Sequence, residues 1–315
     1  MEILLQLGLL VVGFVMLIKG ADWFVDGASA IADRLGIPPL IVGLTIVAMG
    51  TSAPEAAISI SAALKGSADI AVGNVLGSNI LNILVILGLT AIITPLAVQR
   101  STRRYEIPFV LAISAGMALL GLPDGSLNFL DGMILIALFI AYLVYLFYMA
   151  KHSPEEPEEE SAEESVQMPI GQIALSVVVG VALIVLGSDI TVDAATVLAQ
   201  MFGLSERFIG LTVVALGTSL PEMVTSITAG LKGKADIAVG NIVGSNIFNI
   251  LFVLSISALI TPVSYQSAFL VDSILAVVSA ALLWACTMNK SCQVKRTGGI
   301  IMLLGYAAYF VYLIG

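Results

Sequence analysis

Gly43 to Pro95 reads GLTIVAMGTSAPEAAISISAALKGSADIAVGNVLGSNILNILVILGLTAIITP, and Gly210 to Pro262 reads GLTVVALGTSLPEMVTSITAGLKGKADIAVGNIVGSNIFNILFVLSISALITP. The offset is 167 residues, and about two-thirds of the aligned positions are identical. The same offset pairs Gly20, Asp22, Val25 and Asp26 with Gly187, Asp189, Val192 and Asp193. The chain is therefore an internal duplication wider than its core motif, and the repeat governs the reading of everything else.

The copies sit in a membrane. Of 315 residues, 59% are hydrophobic and 11% charged, whereas a soluble domain carries about a quarter charged residues. Apolar runs near 18 residues recur from end to end, and each is a candidate spanning helix. The pattern predicts helices over 3–32, 39–64, 69–93, 105–121, 127–149, 169–200, 207–231, 236–260, 267–288 and 299–314. The expected fold is all-α: a polytopic membrane protein with ten transmembrane helices in two inverted five-helix repeats. Residues 1–150 form the first repeat, 151–168 a linker and 169–315 the second. An odd number of spans per copy inserts the second copy upside down, and such repeats build alternating-access transporters with a site near the midplane.

Basic residues give an independent count. With both termini outside, the inside loops hold ten (Arg34, Arg100, Arg103, Arg104, Lys151, Lys232, Lys234, Lys290, Lys295 and Arg296), and the outside loops hold Lys65 and Arg207. That asymmetry fits the positive-inside rule. Lys19 falls within the first helix. The run from Ile3 to Ile18 follows Glu2, has no basic n-region and no small-residue cleavage site, and reads as a retained helix. Pro154 to Glu164, PEEPEEESAEE, holds seven glutamates. Its like-charge block and prolines predict a disordered cytoplasmic connector.

Several chemistries lack their residues. Cys286 and Cys292 have no companion histidines, and the one histidine, His152, lies in a polar stretch, so zinc and haem sites are not expected. There is no GxGD pair, no serine with an intramembrane histidine and no HExxH. The expectation is a non-enzyme without a cofactor.

Glu55 and Glu222 carry the expected chemistry. Each falls near the middle of a span, where an ionisable group is costly unless paired or coordinated. No lysine or arginine stands at that depth in either core segment, so a cation from solution is the natural partner. Pro54 removes the donor for the Gly50 carbonyl, and Pro221 does the same to Gly217. Thr51, Ser52 and Glu55 share one side, as do Thr218, Ser219 and Glu222. Hard cations such as calcium take about six to eight oxygen ligands of these kinds. On the next span, Asn74, Ser78 and Asn82 form one stripe, copied by Asn241, Ser245 and Asn249. Ser78, Asn82, Ser245 and Asn249 are expected to face the ion. Asn74, Asn79, Asn241 and Asn246 are expected to tie helices together. The glycine pairs Gly73/Gly77 and Gly240/Gly244 predict close helix approach. Asp22, Asp26, Asp189 and Asp193 are expected in vestibules, and Asp69 and Asp236 at helix starts.

The paired GTSxPE and GNxxGSNxxN segments resemble the two alpha-repeats of the cation/calcium exchanger superfamily, most of all its prokaryotic sodium/calcium branch. The resemblance implies an antiporter in which Glu55 and Glu222 coordinate calcium with the backbone carbonyls of Thr51 and Thr218. It implies flanking sodium sites at Ser52, Ser78, Ser219 and Ser245 and at the carbonyls of Ala48 and Ala215. It also implies that the first and sixth helices slide across a rigid core. Many sodium/calcium exchangers carry an aspartate where Asn249 stands, so this site holds two carboxylates rather than three. The expected partners are calcium, sodium and the lipid bilayer, with the monomer as the working unit. The alternative is a proton/calcium antiporter using the same two glutamates, against which the GTSxPE pattern argues.

Overall fold

A computed structural model describes residues 2–152, 168–203, 215–266 and 269–314. The acidic stretch Pro154 to Glu164, the opening of the span expected over 207–231, and Arg207 lie outside the described residues. The described chain is nearly all helix. In chain order α1 is Glu2–Leu35, α2 Pro39–Thr51, α3 Ala53–Leu64, α4 Ile70–Ile93 and α5 Arg100–Asp124. They are followed by α6 Phe129–His152, α7 Ile170–Met201, α8 Ala215–Thr218 and α9 Leu220–Leu231. The last three are α10 Ala235–Ile260, α11 Phe269–Thr287 and α12 Arg296–Ile314. Among the described residues eight helices are long and apolar enough to cross a bilayer, and α2 with α3 makes a ninth span bent by 51°.

Helix ends differ from the expected bounds by a few residues. The largest shift is in α5, which begins at Arg100 rather than at 105. Arg100 to Arg104 form a polar helical turn, and apolar periodicity marks only the part of a helix that meets lipid. Tyr105, with φ −123° and ψ −59°, breaks the helix there. The all-helical expectation also omitted four two-residue strands. β1 Leu96–Ala97 pairs antiparallel with β4 Gln293–Val294, and β2 Ser126–Leu127 pairs with β3 Val263–Ser264. Strands this short carry no alternating pattern, so the sequence holds no signal for them. The 167-residue offset turns one pairing into the other, so both strand pairs stitch the first half of the chain to the second.

The two long helices α1 and α7 pack on each other over their length. A Cβ built on Gly13 would meet Gly187 O at 2.9 Å, one on Gly20 would meet Gly180 O at 2.8 Å, and one on Gly27 would meet Val177 Cγ2 at 2.8 Å. Position rises along α1 as it falls along α7, so the repeat-equivalent helices run antiparallel. The glycines bring backbone against backbone, which any side chain would prevent. α1 has 34 residues, about 50 Å at 1.5 Å per residue, so it outspans the roughly 30 Å hydrocarbon layer and must tilt. Its outer face is exposed and apolar, with Leu4 at 75% and Val11 at 64%, as lipid contact requires, while Phe24 and Ala28 are buried.

α4 and α10 are the most enclosed spans. Gly240 and Gly244 admit α2 closely: built Cβ atoms would lie 2.9 Å from Leu40 O and 2.6 Å from Leu44 O. The positions that the repeat would set against Gly73 and Gly77, near 207 and 211, lie outside the described residues. Asp236 heads α10 but accepts a hydrogen bond from Gln99 Nε2 at 2.6 Å, so it ties the two halves of the chain as well as marking a helix start.

The α1–α7 contact makes a direct prediction. Gly20→Ala drives a methyl group into the α7 backbone and costs about 1–3 kcal/mol by overpacking. Gly8 on the same helix has open space around it, so Gly8→Ala leaves stability unchanged. Thermal melting of both variants in detergent checks the difference.

Candidate cation site

The site forms where the broken spans cross. Ser52, with φ −81° and ψ 6°, interrupts α2 and α3, and Ser219, with φ −97° and ψ 7°, interrupts α8 and α9. Pro54 and Pro221 sit in the first turns of the following helices, where a missing N–H is tolerated. The breaks set Glu55 and Glu222 at helix N-termini, where exposed N–H groups and the helix dipole favour a carboxylate.

The two halves then exchange serines. Ser52 Oγ donates to Glu222 Oε1 at 2.8 Å, and Ser219 Oγ donates to Glu55 Oε1 at 3.3 Å. Each glutamate is thus held by the serine of the other repeat, and this crossing brings the carboxylates into one site. Both are 1% exposed. Among the described residues the ion pairs are those of Lys232 with Asp22 and Asp26, at 3.3 and 2.7 Å; Glu55 and Glu222 have none. Each keeps one buried oxygen, Oε2, without a partner.

The asparagines divide into two groups. Asn74 Nδ2 donates to Glu55 O at 3.2 Å and Ser59 Oγ at 2.9 Å. Asn241 Nδ2 copies this on Glu222 O at 3.3 Å and Ser226 Oγ at 2.9 Å. Thr51 Oγ1 donates to Asn241 Oδ1 at 3.0 Å. Asn79 and Asn246 each donate to the other's carbonyl at 3.2 Å. Their side-chain oxygens take the amides of Asn82 and Asn249, at 3.0 and 3.3 Å. These bonds spend the NH2 groups of Asn82 and Asn249 and leave both Oδ1 atoms buried without a partner. Four acceptors therefore stand unpaired in this region: Glu55 Oε2, Glu222 Oε2, Asn82 Oδ1 and Asn249 Oδ1. Buried oxygens without donors are costly, and hard cations take oxygens of these kinds.

Ser78 and Ser245 are also buried on α4 and α10. Ser245 Oγ donates to Ala48 O at 3.4 Å, the carbonyl that also accepts Ser52 N at 3.0 Å. Ala48 is thus tied to α10, as well as to its own helix. Thr218 closes α8 and Ala215 opens it; the residues before Ala215 lie outside the described part. Asp189 and Asp193 are exposed on α7.

Three features had weak or no signal in the sequence. π-helical turns occupy Gly43–Val47, Asn82–Leu87 and Asn249–Val253, and such turns recur at functional sites. Two of them start at the unpaired asparagines. Ser188 Oγ on α7 donates to Gly217 O at 2.8 Å, supplying the donor that Pro221 withholds. Ala21 stands at the equivalent place on α1 and has no hydroxyl. Thr225 Oγ1, one turn past Glu222, is buried without a partner, but its repeat counterpart is Ile58, so the duplication gave no hint of it.

A family description, sodium/calcium exchanger protein, matches residues 5–148 and 173–315. The chain belongs to the sodium/calcium exchanger family. This exchanger is 39% identical over 326 residues to the inner membrane protein YrbG of Escherichia coli, covering 98% of this chain and 97% of that one. It is 32% identical over 340 residues to the sodium/calcium exchanger MaX1 of Methanosarcina acetivorans, covering 97% of each. Its fold matches the solved sodium-calcium exchanger NCX_Mj with a TM-score of 0.84 at 30% identity, over 98% of this chain and 99% of that one. The resemblance carried by the duplicated motifs is therefore a family relationship over the full length.

The crossed serine bonds predict near-equal roles for the two acids. Glu55→Gln and Glu222→Gln each weaken calcium binding about 100-fold, on the order of 3 kcal/mol, and by similar amounts. Calcium titration calorimetry in sodium-free detergent buffer checks this.

Proposed function

We propose that this exchanger is a secondary antiporter that moves sodium against calcium across the cell membrane by alternating access. One observation carries the reading. Two buried carboxylates, held by each other's repeat, keep unpaired oxygens, as do two buried amides, and among the described residues no basic side chain balances them. A bound cation completes such a site. We place Glu55, Glu222 and the carbonyls of Thr51 and Thr218 around calcium. Ser52, Ser78, Ser219, Ser245, Asn82, Asn249 and the carbonyls of Ala48 and Ala215 supply the remaining oxygens, including those for sodium.

The count of ten spans in two inverted repeats completes the picture. The charge asymmetry then puts both termini outside and the acidic linker in the cytoplasm. The working unit is the monomer, because one chain supplies both halves of the site. The transported ions are the only ions the mechanism needs.

Charge sets the coupling. Two glutamates balance one calcium or two sodium ions, and a third sodium bound by neutral oxygens makes the cycle electrogenic. A tenfold gradient is worth about 1.4 kcal/mol per ion, and one charge crossing 100 mV about 2.3 kcal/mol. Three sodium ions entering per calcium exported supply roughly 6.5 kcal/mol, enough for a calcium gradient on the order of 10⁴ to 10⁵. Two supply only about 2.7 kcal/mol, roughly 100-fold.

An asymmetry between the two ends supports alternating access. Lys232 pairs with Asp22 and Asp26 on α1. Lys65, its repeat counterpart, stands within ion-pair distance of neither Asp189 nor Asp193 on α7. We read this as a state closed at the Lys232 end, with the opposite state closed by Lys65 on α7. A ligand's apparent affinity at one face scales with the population open to that face. Lys232→Gln therefore lowers the calcium KM at its own face and raises it at the other, measured in oriented vesicles; unchanged values at both faces would exclude the gate.

The function itself is tested by calcium-45 uptake into sodium-loaded proteoliposomes, with external sodium, potassium and pH varied separately and current recorded. Uptake follows the outward sodium gradient, ignores potassium and proton gradients, and carries net positive charge outward. Uptake driven by a pH gradient without sodium would replace this reading with proton/calcium exchange. Normal uptake by Glu55→Gln would overturn the site.

A further inference from the structure

A further buried carboxylate lies away from the central site, and exchange makes no use of it. Glu106 opens the long part of α5 and is 1% exposed. Tyr145 on α6 donates its hydroxyl to Glu106 Oε1. Glu106 Oε2 has no partner, nor does the hydroxyl of Tyr142, a residue 5% exposed. Thr102 lies beside Glu106 without closing a well-formed hydrogen bond.

Glu106, Tyr142 and Tyr145 line a cavity of about 460 Å³ between α5 and α6, with Arg104, Tyr105 and Phe109 among its other walls. Its walls are mainly aromatic: Phe109 stacks on Tyr142 with ring centroids 5.6 Å apart, and Tyr142 stacks on Tyr145 at 6.3 Å. Leu138, also in the lining, is 39% exposed on the outward face of α6. The cavity therefore meets the surface that faces lipid. It lies within about two turns of the polar run Arg100 to Arg104, near the headgroup level of the bilayer.

The local chain builds this cavity. Pro108 has no N–H to offer the Arg104 carbonyl, and Trp284 Nε1 on α11 donates to Arg103 O at 3.0 Å. The helix consequently breaks at Tyr105, and the break turns Glu106 inward while leaving Arg104 exposed at the rim. The Arg104 guanidinium stacks over the Tyr105 ring at 5.6 Å.

We propose that this cavity binds the headgroup of an aminophospholipid, the ammonium seated against Glu106 inside the aromatic walls and the phosphate held at the rim by Arg104. A carboxylate in lipid needs a positive partner, and described residues supply none to Glu106. Aromatic faces attract ammonium groups, and arginine recognises phosphate. The order of buried acid and exposed base along one cavity suits a zwitterion whose amine lies beyond its phosphate. A primary amine also offers donors to Glu106 Oε2 and Tyr142, whereas a choline headgroup offers none.

The test is native mass spectrometry of purified full-length protein, incubated with equal phosphatidylethanolamine, phosphatidylcholine and phosphatidylglycerol. The expected result is retention of phosphatidylethanolamine at least tenfold above the other two, lost in Glu106→Gln. Arg104 is exposed and outside the core, so Arg104→Gln tests the rim without threatening the fold, and it reduces retention about threefold or more. Tyr145→Phe, which keeps the ring, keeps the preference. Free ethanolamine separates the sources: competition by it at millimolar concentration marks the amine as the recognised group, as proposed. Equal retention of the three lipids, or a preference unchanged in a folded Glu106→Gln protein, overturns the proposal.

Discussion

Two carboxyl groups are buried in the core, and the described residues supply neither with a positive side chain. That constraint organises the rest. A carboxylate so placed must be protonated or must hold a cation. The structure keeps both glutamates poised for a cation by bonding only one oxygen of each. The donor to that oxygen is a serine of the other repeat, so neither site half is complete alone. The asparagine ring of α4 and α10 adds amide oxygens whose NH2 groups are already committed. The result is a patch of acceptors fixed by a scaffold of donors that point elsewhere. Fixed acceptors suit an ion that must shed water on entry, because the scaffold has been ordered before the ion arrives.

The same bonds explain which parts are rigid. α4 and α10 are the most buried spans, and their asparagines hold the backbones of both glutamates. By contrast, α1 and α7 touch each other through glycines, pack one face on this core and show lipid their outer faces. A glycine seam has few side chains to interlock, so two helices can shift together along it at small cost. On the proposed mechanism the core carries the ions and the outer pair governs access to them. The salt bridge from Lys232 to α1 joins these two bodies at one end, where it depends on the position of α1.

Much of this was legible in the sequence because the chain states it twice. A single glutamate after a proline is ambiguous, but Pro54-Glu55 and Pro221-Glu222 in matching contexts are not. The break at Ser52, the tying roles of Asn74 and Asn241, and the close approach at Gly240 and Gly244 all followed from residue type and spacing. What escaped was whatever the two copies do not share, or whatever depends on backbone register. Thr225 faces an apolar counterpart, and Ser188 faces Ala21. The π turns at Asn82 and Asn249 change the phase of a helix by one residue without a distinctive composition. The strand pairs are too short to have a period. Glu106 stands at the start of a span, where one acid usually signals capping; only the packing of Tyr142 and Tyr145 around it reveals a cavity.

The unshared features bear on how a duplicated machine can work. A perfectly symmetric pair of repeats would leave its two end states equal in energy, apart from the membrane's own asymmetry. Ser188 satisfies the Gly217 carbonyl, so on that side the break in the site helix is bonded directly to α7. On the other side, Ala21 leaves the Gly50 carbonyl no such link to α1. Movement of α7 past the core must therefore break a hydrogen bond beside Glu222, while movement of α1 breaks none from position 21 beside Glu55. A net hydrogen bond is worth about 1 kcal/mol, enough to bias a two-state equilibrium several-fold. The repeat supplies two nearly equivalent states; small departures from it, one hydroxyl at a time, set which state the empty protein prefers.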